Sequence, residues 1–172
     1  MNNKMKILIN NLTQDIINLY NIQIPIKNIN DVVAILGGSV EESINIDNMP
    51  NNGIRKQNNG FIIYISPFQS LEKKKFTIAH ELGHLFLHMG YKTNPELWDK
   101  QKNASYYKAD NLLKEYQANE FAAALLMPQE VYEKIMNQYT IGNKVETCKI
   151  ADYFEVSVSL ASNRGKFLGY LQ

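Results

Sequence analysis

Apolar residues recur at three- and four-residue intervals from about Met5 to Tyr20, where Leu8, Leu12, Ile16 and Leu19 form a stripe. This spacing predicts an amphipathic helix. Pro25 closes the region, and Asn30 or Asp31 stands where a cap would start a short second helix through Leu36, ended by Gly37-Gly38. The period then changes. Val40 to Ile46 and Phe61 to Ile65 are short β-prone stretches, separated by the turn-rich Pro50-Asn51-Asn52-Gly53 and Asn58-Asn59-Gly60. A small antiparallel sheet is expected.

Helical spacing returns from about Leu71 to His88. At 100° per residue, Ile78, Ala79, Leu82, Leu85, Phe86 and Met89 fall on one arc, with Thr77, His80, Glu81, His84 and His88 opposite. The histidine face is therefore not expected to be the main core face. Gly90 ends this helix, and a loop runs to about Ser105. A long helix from about Lys108 to Leu126 stops at Pro128, which can open the next one, Gln129 to Tyr139. The tail reads as helix, turn, helix, with the break near Glu155-Val156-Ser157. The pattern predicts an α+β, mostly helical fold with a small antiparallel sheet ahead of the histidine helix. Its main domain would cover residues 1–140, and a helix-turn-helix-like segment, residues 141–172, would pack on the same unit.

Composition narrows the picture modestly. The 172 residues, 45% hydrophobic, suit one compact domain. A formal net charge of +1 gives no global drive toward nucleic acid or anionic membrane. The single cysteine, Cys148, excludes an internal disulfide, and the chain carries neither a signal-peptide pattern nor an apolar run of spanning length. A cytoplasmic location is expected.

The chemistry concentrates in His80-Glu81-Leu82-Gly83-His84, an H-E-x-x-H motif that holds two of the three histidines. Residues four apart on a helix lie one above the other, so both imidazoles can meet one Zn²⁺ while Glu81, outside the ligand set, accepts a proton from water. A third ligand is needed. The class that adds a third histidine six residues after His84 is excluded, because Leu87 and Gly90 occupy the positions where it needs glycine and histidine. His88 lies eight residues from His80, ~12 Å along a helix, too far for one ion to reach both. It reads as a last-turn residue favoured by the helix dipole or as a minor lining residue. Glu115 and Asn119, four apart on the predicted long helix, share a face with Ala122 and Leu126, while Glu120 points elsewhere. Glu115 is thus a candidate ligand and Asn119 a candidate for orienting His80 or His84. Spacing alone also allows Glu115 to be a solvated helix carboxylate.

The stretches 76–88 (FTIAHELGHLFLH) and 115–128 (EYQANEFAAALLMP) resemble the two signature blocks of the ImmA/IrrE family of metallo-endopeptidases. The resemblance implies a minimal zincin-like peptidase with His80, His84 and Glu115 as metal ligands and Glu81 as the catalytic glutamate. The implied ion is Zn²⁺, with Mn²⁺ as the alternative in the cell. It also implies a partner, a helix-turn-helix transcriptional repressor encoded nearby, often on a mobile element or in a stress response. An antirepressor that holds the repressor without cutting it is the alternative. Tyr106, Tyr107 and His88 are candidates to stabilise the oxyanion.

The tail offers Arg164 and Lys166 late in its second helix, whereas a DNA reader needs basic or amide side chains early in it. Direct DNA binding is therefore not expected, nor is a membrane partner. Lys73-Lys74-Lys75 reads as the solvated first turns of the zinc helix.

Overall fold

The computed structural model describes residues 2–44, 53–101, 105–106 and 112–171. Helix α1 (Asn3–Leu19) starts at Asn2, whose side chain accepts the Met5 amide. Its buried face is Ile9, Thr13, Ile16 and Ile17, one position round from the expected stripe, and Leu8 and Leu19 are exposed. Thr13 can lie inside because its hydroxyl donates to the Ile9 carbonyl at 2.7 Å. Helix α2 (Ile29–Leu36) is capped by Asn28, not by Asn30 or Asp31: the Asn28 side chain accepts the Asn30 amide at 3.1 Å and donates to Asp31 at 2.8 Å. Gly37, at φ +95°, ends it in the left-handed conformation.

Strands β1 (Gly38–Glu42), β2 (Gly53–Gln57), β3 (Gly60–Ile65) and β4 (Ser105–Tyr106) form one sheet in the order β1-β3-β2-β4. The sheet is mixed rather than wholly antiparallel, because β1 runs parallel to β3, with Gly38 opposite Phe61, and its fourth strand arrives after the histidine helix. The hairpin β2–β3 turns at Asn58, which has positive φ and tolerates it as asparagine does. The expected stretch to Ile46 and the turn at Pro50-Asn51-Asn52 lie partly or wholly outside the described residues. With Phe61, Ile62, Ile63 and Ile65 buried, β3 is covered on both faces.

Helix α3 (Leu71–Leu87), capped by the Ser70 side chain, packs its Ile78, Ala79, Leu82, Leu85 and Phe86 into the core. Its opposite face, not expected to be the main core face, is covered too: Glu81 and His84 are buried. The cover is α5 (Leu112–Leu126), whose segment Ala118 to Leu126 is buried except at Asn119. Residues 108–111, where that helix was expected to begin, lie outside the described residues. The expected loop after α3 contains a short helix, α4 (Pro95–Lys100), with Asn94 as cap and proline in its first turn.

Helix α6 (Gln129–Gln138) leads through a two-strand ribbon, β5 (Thr140–Ile141) and β6 (Lys144–Val145), to α7 (Thr147–Phe154) and α8 (Val158–Phe167). Residues Ile150, Ala151, Phe154, Val156 and Ala161 join the same hydrophobic core as α3 and α5. Two basic side chains are inside, one of them, Lys75, in the run expected to be solvated. Lys75 is buried, with Nζ donating to the Phe154 carbonyl at 2.9 Å and 3.5 Å from the Glu155 carboxylate. Arg164 is 2% exposed. Its guanidinium donates to the Met127 carbonyl, to Glu120 at 2.9 Å and to Asn10 at 2.8 Å, tying α8 to α5 and α1. Among the described residues no helix is long and apolar enough to cross a membrane.

Candidate metal centre

The centre forms where α3 and α5 touch most closely. A side chain on Gly83 would place its Cβ 2.9 Å from the Ala118 Cα and 3.0 Å from the Ala118 carbonyl oxygen. The missing Cβ therefore lets the two backbones meet, and α5 can present Glu115 to the histidines one turn apart on α3. The Nε2 atoms of His80 and His84 stand 3.0 Å apart. Glu115 places Oε2 3.3 Å from the first and Oε1 3.3 Å from the second. Among the described residues, His80, His84 and Glu115 are the group whose donor atoms lie close enough together, within 4.8 Å, to hold a metal ion.

The spacing suits a small divalent ion. Two ligands ~2.1 Å from one ion at a tetrahedral angle stand ~3.4 Å apart, close to the separations found here. Two imidazoles and one carboxylate are also a donor set for first-row transition metals rather than for calcium or magnesium. The residues present therefore fit a bound metal.

The far sides of both rings are engaged. The Nδ1 of His80 is 2.8 Å from the Asn119 side-chain oxygen, so its N–H donates there and Nε2 keeps a lone pair toward the metal position. The Nδ1 of His84 is 2.9 Å from the Nδ1 of His88, and the Nε2 of His88 is 3.0 Å from the Gln117 side-chain oxygen. His88 thus lies behind His84, outside the metal group, and both of its ring nitrogens have partners. That placement speaks against His88 as the oxyanion donor. The Tyr106 side chain and Tyr107 lie outside the described residues. Burial, reinforced by the neighbouring imidazoles, pushes the His84 ring down to about 3, which keeps it neutral as a ligand must be. Burial also lowers His88.

Glu81 is buried beside His80 on the same helix. Glu120 turns away from this group and pairs with Arg164, as its position on α5 anticipated. An open trough of about 510 Å³ runs past Asn119 and is lined also by Phe76, Tyr116, Glu120, Arg164 and Phe167. Sequence reasoning missed two contributors. Gly83 carried a readable signal, since a glycine inside a helix costs ~1 kcal/mol and needs a packing reason. Gln117 carried none.

Fold and site together define an α+β protein in which two packed helices bring together a group of side chains able to hold a metal ion. Residues 42–166, which include both helices, match the family described as the IrrE N-terminal-like domain. The metallopeptidase ImmA of Bacillus subtilis (strain 168) is 35% identical over 101 residues, 59% of this chain and 53% of that protein, so the match spans about half the length of this relative. The chain belongs to the ImmA/IrrE family of metallopeptidases.

Proposed function

We propose that this protein is a zinc-dependent endopeptidase, with His80, His84 and Glu115 as ligands and Glu81 as general base, that cleaves a helix-turn-helix transcriptional repressor in the cytoplasm. The observation that carries the reading is the convergence of three donor atoms at tetrahedral spacing with a buried carboxylate one residue from the first ligand. A zinc ion held by His80, His84 and Glu115 would supply Lewis acidity, lowering the pKa of water toward ~7 and polarising a peptide carbonyl. The protein's own groups do the rest. Asn119 holds His80 by its outer nitrogen, and the burial of His84 keeps that ring unprotonated. Glu81 takes the proton from the attacking water and delivers it to the departing amine, so that the nucleophile is deprotonated as it attacks and the amine leaves protonated. The trough beside Asn119, with the exposed ring of Tyr116 on its wall, offers an extended polypeptide a seat on the same helix that carries Glu115.

The repressor as target, and control of a mobile element or stress response as outcome, come from the family resemblance. The buried Arg164 supports the view that the tail does not itself read DNA, since it removes one of the two late cations from the surface. The test combines the metallated protein with a repressor encoded beside it. Specific cleavage should be lost on chelation and in Glu81→Gln, while Glu81→Gln retains its zinc by elemental analysis. Cleavage by properly metallated Glu81→Gln would overturn the assignment of Glu81. A stable complex with no cleavage by the wild-type protein would favour the antirepressor.

A further inference from the structure

We infer that His88 and Gln117 form a positioning relay that fixes the tautomer of His84 so that its Nε2 lone pair points at the metal position. The inference rests on the reading of His84 as a ligand. A neutral imidazole carries one N–H and one acceptor nitrogen, so the sense of hydrogen bonding propagates through a chain of such rings. Two senses are available here. If the Gln117 oxygen accepts from His88 Nε2–H, then His88 Nδ1 is an acceptor, His84 Nδ1–H donates to it, and His84 Nε2 is left bare toward His80 and Glu115. If a donor stood in place of that oxygen, every bond would reverse and His84 would present an N–H where a metal must bind.

The distances fit the first arrangement, with the Gln117 oxygen, an acceptor, 3.0 Å from His88 Nε2 and 2.9 Å between the Nδ1 atoms of His88 and His84. The two ligand histidines are therefore oriented by different means. His80 leans directly on an amide oxygen of α5, whereas His84, deeper in the helix packing, reaches an amide oxygen of the same helix through an intervening ring. Both anchors lie on the helix that carries Glu115, so one element sets the third ligand and the orientation of the other two.

The test uses the full chain at pH 8, where the imidazoles are neutral. Nitrogen-15 spectra of the chelated wild-type protein should show His84 as the Nδ1–H tautomer and His88 as the Nε2–H tautomer. Zinc titration should show affinity falling about 10- to 100-fold in His88→Phe, as for other residues that orient metal ligands. His88→Gln, which restores a side-chain oxygen able to accept from His84, should bind zinc close to wild type. Gln117→Met should leave the fold intact yet lose the single tautomer of His84. A packing role alone would move neither the tautomers nor the rescue. The relay is overturned if chelated wild-type protein holds His84 as Nε2–H, or if folded His88→Phe binds zinc as wild type does. If His84→Ala also binds zinc normally, the ligand reading has failed. If His84→Ala loses zinc and His88→Phe does not, the relay alone has failed.

Discussion

Gly83 shows how one absent side chain can bring two helices together at a candidate metal centre. A Cβ there would meet the Ala118 backbone on one side and the Phe121 Cβ, at 3.2 Å, on the other, and backbone cannot yield as a flexible side-chain tip can. In Gly83→Ala the gain in helix propensity, ~1 kcal/mol, is opposed by overpacking of about 1–3 kcal/mol. The expected outcome is a lower midpoint of denaturant unfolding and weaker zinc binding, because α5 moves back and takes Glu115 with it. Wild-type stability together with wild-type zinc affinity in this variant would show that the close approach is unnecessary. The H-E-x-x-H residues were legible individually, since residue type and four-residue spacing determine which side chains share a helix face. The orienting contacts were legible only where a second motif lay on one face of a helix, as with Glu115 and Asn119. Gln117 and His88 meet across two helices, 29 residues apart, and no local period encodes that.

At the scale of elements, Lys75 joins the start of α3 to the end of α7. Its ammonium meets the Phe154 carbonyl at the last turn of that helix, where cations are favoured, and the Glu155 carboxylate beside it. Burial nonetheless holds Lys75 below its ordinary value of 10.5, outweighing the attraction of Glu155. The unfolded chain therefore keeps this proton to higher pH than the folded one, and stability attributable to Lys75 rises with pH through the window that ends near 10.5. The stability difference between wild type and Lys75→Met should shift in favour of wild type as pH rises through that window. Urea titrations at stepped pH would read it, and an opposite slope would refute the burial of the charge. Helix ends were partly readable. Asn94-Pro95 carried the signals of α4, a cap followed by proline at the first position, within what the pattern presented as loop. The strand order was not readable, because insertion of β3 between β1 and β2 depends on pairing between segments distant in sequence.

For the whole molecule, Arg164 decides what the tail is. Though late in the second helix of a helix-turn-helix pattern, it lies buried and bonds to Glu120, Asn10 and the Met127 carbonyl. Burial raises the Glu120 carboxyl, an effect that the adjacent guanidinium and the Asn10 amide oppose. Arg164→Met removes the partner of a buried carboxylate and should cost ~3–5 kcal/mol, while Arg164→Met with Glu120→Gln should recover part of it. Calorimetry of the two variants checks both expectations, and a single variant as stable as wild type would mean the ion pair holds nothing together. Because Glu120 follows Asn119 on α5, this contact also braces the helix that carries Glu115. The amino-acid sequence by itself determined most of the helices, the placing of His80 and His84 one turn apart with Glu81 beside them, and the family, because periodicity, capping and motif spacing are local properties. Tertiary structure alone decided that α5 would cover the histidine face, that Gly83 would let it approach, and that Lys75 and Arg164 would turn inward. Those outcomes depend on which surfaces meet, and a buried charge is tolerated only where the fold brings it a partner.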